Sequence, residues 1–186
     1  LQLLISVYSY CAHMKLVIFI ILLQARVIVD NRINKSEIQI MDVKIKLVET
    51  AEEYQSILKI RKSVFIEEQK ISKAIEIDSN EKKSQYIIAY FNDMPVGTAR
   101  WRYVDREVKL ERFAVLKQYR KIGIGRMLND FILNEIPASK TIFLNSQETA
   151  IGFYIKLGFK VTGSPFTEAG ISHTKMIYSR NNNMKP

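Results

Sequence analysis

The chain has 186 residues, 47% of them apolar, with 28 Lys and Arg against 19 Asp and Glu for a formal charge of +9. That is one domain of ordinary size plus an appendage, and its basic residues are dispersed as on a lysine-rich solvated surface, without the runs of a nucleic-acid-binding tail. Cys11 is the single cysteine, which excludes an intramolecular disulfide and any cysteine nucleophile in residues 12–186 and fits a reducing, cytoplasmic setting, while His13 and His173 alone supply no Cys/His cluster for zinc, so no metal is expected.

Residues 1–40 stand apart from the rest. "LVIFIILL" at Leu16–Leu23 follows Met14 and Lys15 as the apolar run of a signal would, but no small-x-small cleavage site follows. The run is also short for a span, which takes about 20 apolar residues. Three readings stay open: signal, anchor, or upstream sequence ahead of a start at Met41. A membrane partner is expected only if residues 1–29 are native to the domain.

From Met41 the pattern is regular. Val43–Leu47 alternates as a half-buried strand. Thr50 and Glu53 form a capping box opening a helical run through "AEEYQSILKIRKSVFIEEQ". Ile71–Lys83 reads as a loop, and its acidic part "EIDSNE" (Glu76–Glu81) as a solvated one; if it lined an acceptor mouth it would favour a cation. "SQYIIAYF" (Ser84–Phe91) is a strand. "NDMP" (Asn92–Pro95) is a turn with Pro95 fixing its backbone. "VGTARWRYV" and "VKLERFAVL" (Val108–Leu116) are the next two strands.

The period then becomes helical. Ile122, Ile124, Met127, Leu128, Phe131, Ile132 and Ile136 mark a helix that Pro137 ends. "TIFLNS" (Thr141–Ser146) is a buried strand that should lie at the sheet's centre. "ETAIGFYIKLGF" is a short helix stopped by Gly158, and "FKVTG" and "HTKMIYS" are two last strands. The order β-α-α-β-β-β-α-β-α-β-β is that of an α/β sandwich. Residues 41–180 form the domain, and 181–186 a disordered tail.

"RKIGIG" (Arg120–Gly125) leaves a strand and opens that long helix. A helix N-terminus leaves backbone N–H groups unpaired at the positive end of its dipole, so anions bind there. Glycine lets a phosphate approach the backbone, and Arg120, Lys121 and Arg126 add charge. Two known glycine motifs fail. Arg126-Met127 follows Gly125 where a P-loop needs Lys-Ser/Thr, and Leu128 stands where a dinucleotide fingerprint needs its third glycine. A plain strand-to-helix turn is the alternative.

"LERFAVLKQYRKIGIGRMLNDFIL" resembles the signature of the GNAT superfamily of acyl-CoA-dependent N-acetyltransferases, here Arg120-x-x-Gly123-x-Gly125. "LNSQETAIGFYIKLGFK" is similar to that family's Asn…Ala-x-x-Phe-Tyr-x-Lys-x-Gly-Phe pattern. The resemblance runs from about Val43 to Tyr178. "IRKSVFIEEQ" and "EAGISHTKM" look like the bacterial ElaA-like branch.

The resemblance implies a mixed, mainly antiparallel sheet flanked by helices, with acetyl-CoA as co-substrate between splayed fourth and fifth strands. The pyrophosphate would sit on Arg120, Lys121, Ile122, Gly123, Ile124, Gly125 and Arg126. The pantetheine arm would lie along Phe113, Ala114 and Val115, with Asn145, Phe153 and Tyr154 also at the cofactor. Tyr154 matches the acid that protonates the departing thiolate.

Glu111 is the candidate base. Strand alternation predicts it on the face of Phe113 and Val115. Glu67 and Glu68 are the other candidates for the base, because their region borders the acceptor site in similar proteins, with a solvated role as the alternative. His173, the domain's one histidine, opens the last strand and joins them as an acceptor-site residue, with a catalytic role weighed against an ordinary strand-edge one. The expected partner is a small-molecule or peptide amine, not nucleic acid; a homodimer is left open. A CoA-binding sensor or docking module without turnover is the rival reading.

Overall fold

The computed structural model describes residues 42–178 and Arg180; the expectations for residues 1–40 and for the tail at 181–186 lie outside them. Strands β1 (Val43–Leu47), β2 (Gln85–Phe91), β3 (Met94–Val104), β4 (Glu107–Val115), β5 (Thr141–Gln147), β6 (Phe159–Val161), β7 (Phe166–Glu168) and β8 (Ile171–Tyr178) form one sheet. Its order is β1-β2-β3-β4-β5-β8-β6, with β7 paired to β8. Neighbours are antiparallel except β4 and β5, which run parallel at the middle.

Helix α1 (Ala51–Arg61) begins where the sequence says it should. Thr50 Oγ1 accepts from the Glu53 amide at 3.2 Å, while the Glu53 carboxylate accepts from the Thr50 amide at 3.2 Å. The helix then widens into π-type turns over Lys62–Glu68, where the Gln69 amide donates to the Val64 carbonyl five residues back. Ile57, Ile60, Val64 and Phe65 recur at helical spacing, all buried, and cover one face of the sheet above Tyr86, Ile88 and Ala114.

Helices α3 (Ile124–Glu135) and α4 (Ile151–Lys156) cover the other face. On α3, Ile124, Leu128 and Ile132 have no exposed surface, and they meet Ile87, Ala89, Ala99 and Leu110 from the strands. Burial of each such side chain stabilises the fold by about 1.5–3 kcal/mol.

Three details differ from the sequence reading. The Asn92-Asp93 pair makes the β2–β3 turn, both residues at positive φ (48° and 60°), and Pro95 already lies in β3. A third C-terminal strand, β7, forms because Ala169 and Gly170, also at positive φ, fold Phe166–Glu168 back onto β8.

The largest change is at Ile71–Lys83, which carries the short helix α2 (Lys73–Glu76) and a tight turn at Glu81–Lys83. Its acids are not solvated. Glu76 is 2% exposed and ion-paired to Arg61 and Arg112, Asp78 pairs with Arg100, and Glu81 with both Arg61 and Arg100. Arg61 and Arg100 are themselves buried, so their charge draws the acids inward.

Candidate active site

The β4–β5 ladder pairs Glu107 to Leu110 with Thr141 to Leu144 and then stops. Beyond it β4 continues along β3 and β5 along β8, so the two parallel strands diverge. The cause lies in β4. Arg100 pairs with Glu111 and Thr98 with Ala114, so Arg112 and Phe113 together oppose Ala99. This is a β-bulge, with Arg112 at φ +56°. A non-glycine residue there costs about 1–3 kcal/mol and needs outside support. Its guanidinium supplies it, donating to the Ile75 carbonyl at 2.9 Å and pairing with the Glu76 carboxylate at 2.8 Å.

The bulge reverses the alternation expected for Glu111. Leu110, Phe113 and Val115 lie on the α3 side, Ala114 on the α1 side. Glu111 sits with Arg100, away from Phe113 and Val115. The divergence opens a cleft of about 790 Å³ lined by both faces, with Leu110, Phe113 and Tyr154 on one side and Gln69, Glu111 and His173 on the other.

The glycine turn stands at the cleft's mouth. Lys121 and Gly123 have positive φ (67° and 96°), and the first amide with a helical acceptor is that of Met127, bonded to the Gly123 carbonyl at 3.1 Å. The amides of Lys121 to Arg126 have no protein acceptor among the described residues. A Cβ on Gly125 would stand 3.2 Å from the Phe153 ring, so glycine is what lets that ring pack on the turn. Ile124 points into the core. The Arg120 side chain is held by Glu68 through two bonds of 2.7 Å, and donates from Nε to the Val115 carbonyl at 2.8 Å. Arg126 donates to the Lys156 carbonyl at 3.3 Å, and Lys121 lines the cleft.

Tyr154 is 9% exposed and meets Phe113, Phe153 and Phe159 edge to face at 5.0–6.0 Å. Its hydroxyl makes no hydrogen bond among the described residues, and burial raises its pKa, which keeps it protonated. Glu111 is surrounded by cations: Arg100 at 2.8 Å, Lys109 at 3.0 Å and Arg102 at 3.2 Å. Burial opposes its ionisation, but the charges of Lys109 and Arg100 prevail and hold its carboxyl below the ordinary range.

Of the residues expected at the site, Glu111, Phe113, Arg120, Lys121, Asn145, Phe153, Tyr154 and His173 share the cleft wall. Asn145 donates to Glu168 at 2.9 Å. Glu67 pairs with exposed Lys62 at 2.9 Å and lies outside the cleft, as does Glu68 on Arg120. The sequence reading missed Gln69, Gln147 and Glu168. Gln147 donates to Gln69 at 3.0 Å, tying β5 to the end of the π-type turns. No local signal marks these residues, because strand pairing and a side-chain bond between residues 78 apart bring them together. Among the described residues no group of His, Cys, Asp and Glu could hold a metal.

Residues 48–180 match the acetyltransferase (GNAT) domain family. YyaT of Bacillus subtilis is 41% identical over 138 residues, which are 71% of this chain and 93% of YyaT. Among solved structures, Escherichia coli ElaA superposes with a TM-score of 0.65 at 22% identity, covering 75% of this chain and 99% of its own. The PaiA N-acetyltransferase of Thermoplasma acidophilum, solved in complex with coenzyme A, superposes at 0.56 and 18% identity, over 75% of this chain and all of its own.

Proposed function

We propose that this chain, which belongs to the GNAT acetyltransferase family, moves an acetyl group from acetyl-CoA to a primary amine by direct attack within a ternary complex. The observation that carries the reading is the run of free amides from Lys121 to Arg126 at the mouth of the β4–β5 gap. Such amides, at the positive end of α3, suit a diphosphate, and Lys121 adds charge. The edge of β4 beyond its ladder with β5, where Arg120 takes the Val115 carbonyl but no strand pairs, suits an extended amide-bearing arm, which would add to the sheet through main-chain bonds. A neighbouring solved structure that contains coenzyme A supports the same cofactor here.

The chemistry follows from the site. A neutral amine attacks the thioester carbonyl, and a backbone amide of β4 at or beside Phe113 donates to the developing oxyanion. The thiolate leaves as Tyr154, which lines the cleft beside Phe113, gives it a proton. Glu111 was the sequence candidate for the base, but a carboxylate flanked by three cations binds a proton weakly, so we assign it instead to holding the cluster beside the bulge.

Calorimetric titration with acetyl-CoA, followed by thiol-release assays with amino-terminal peptides, lysine, polyamines and aminoglycosides, tests the reading. Binding and turnover of at least one amine are expected; no binding overturns it.

A further inference from the structure

We infer that His173 is the general base of the reaction proposed above, its Nε2 taking the proton from the acceptor's ammonium. The inference rests on the transferase reading and deepens it.

The ring is set up for this by its neighbours. His173 Nδ1 lies 2.9 Å from the Ile171 carbonyl. A carbonyl only accepts, so the neutral ring carries its proton on Nδ1 and leaves Nε2 as a bare acceptor. The ring stacks on Phe166 at 6.2 Å with 28° between the planes, and the residue is 9% exposed. Orientation and tautomer are therefore fixed while the side chain still lines the cleft.

Its place in the sheet matters as much. His173 pairs with Gln147 across β5–β8, and Gln147 bonds Gln69 on the α1 side. Tyr154 belongs to the opposite, α3 side. Acid and base thus flank the β4–β5 gap from opposite faces, so a thioester in the gap is reached by the amine from one face and by the leaving-group acid from the other. Glu76, Asp78 and Glu111 are ion-paired to arginines. Charged groups on His173's face beside these are Glu168, which accepts from Asn145 and lies 4.0 Å from Lys109 of β4, and Lys175, whose ammonium lies 4.3 Å above the Phe143 ring; β5 presents neutral Gln147.

The proton count closes. The ammonium gives one proton to Nε2 and becomes an amine. Its lone pair forms the N–C bond to the acetyl carbon. The C–S bond breaks, and sulfur leaves with its electron pair and takes the Tyr154 proton. The phenolate recovers a proton from the acylated nitrogen through water, and the imidazolium releases its own to solvent.

The test uses the full chain with an amine from the panel above that it acetylates. His173→Asn keeps a donor toward the Ile171 carbonyl and removes the base; His173→Gln serves as its check. We expect kcat/KM at neutral pH to fall about 100-fold and the acid limb of the pH profile to vanish, with acetyl-CoA affinity within about twofold of wild type. Glu111→Gln should keep that limb. Long-range nitrogen–proton NMR of the wild type should find the neutral ring protonated on Nδ1. Wild-type rates in both His173 variants, or a ring protonated on Nε2, overturn the inference alone. A wild type that binds acetyl-CoA yet acetylates none of the amines removes the transferase reading, and this inference with it.

Discussion

Tyr154 and Gly123 concentrate the residue-scale expectations. Tyr154→Phe keeps the ring and its edge-to-face packing on Phe113, Phe153 and Phe159 but removes the only proton it can give. Turnover should drop by about 100-fold while calorimetry shows acetyl-CoA affinity nearly unchanged; a fully active variant would remove the tyrosine from the acid role. Gly123→Asp is the complementary case. A Cβ at Gly123 meets open space, so the fold tolerates it, apart from the strain of φ +96°. The carboxylate, however, would stand among the amides assigned to the diphosphate. Like charges so placed cost several kcal/mol, so acetyl-CoA should bind roughly 100-fold more weakly or worse. Unchanged affinity would argue against the cradle.

At the scale of elements, the capping box and the bulge play different parts. Thr50→Ala removes the hydroxyl that accepts from the Glu53 amide and should lower stability by about 1 kcal/mol, read as a shifted urea midpoint, without touching acetyl-CoA affinity. The bulge in β4 lies nearer to function. Arg112 holds positive φ because its guanidinium grips the carbonyls of Ile75 and Glu76. The same contact pins the segment around α2 to the cleft wall. Arg112→Gly relieves the backbone strain and loses the grip, so limited proteolysis should cut faster within residues 71–83 even if the urea midpoint is little changed.

For the molecule as a whole, the buried ion cluster joins α1, the segment at 71–83, β3 and β4. Burial opposes ionisation of Glu81, but bonds from Arg61, Tyr86 and Tyr54 outweigh it and bring its pKa from 4.5 down to about 2. Asp78 is likewise depressed: burial resists, and the Arg100 contacts prevail. For such groups the unfolded chain binds more protons, so their stabilisation is present above about pH 4.5 and is lost as the pH falls toward 2. Urea midpoints should fall across that window. Glu81→Gln should flatten the fall and, by leaving Arg61 and Arg100 short of a partner, cost roughly 3 kcal/mol at neutral pH.

What the sequence by itself determined is local or periodic. The capping box, the α3 stripe, the strand-to-helix glycine turn and the Phe-Tyr pair on α4 are each written within a dozen residues, so their physics can be read from spacing. The glycine turn and the Phe-Tyr pair also carry the resemblance that led to the family and to part of the cleft wall. Tertiary structure alone decided the rest. Strand alternation put Glu111 on the wrong face, because one extra residue in β4 is set by pairing with β3 and by a guanidinium reaching residues 75 and 76. The acids of "EIDSNE" read as solvated because their arginine partners stand up to 36 residues away in the chain. His173, one of two histidines in the sequence, acquires a fixed tautomer and a place in the cleft only through its contacts with Ile171 and Phe166 and its pairing with Gln147. Long-range pairing assembles charges and faces that no short window of sequence contains.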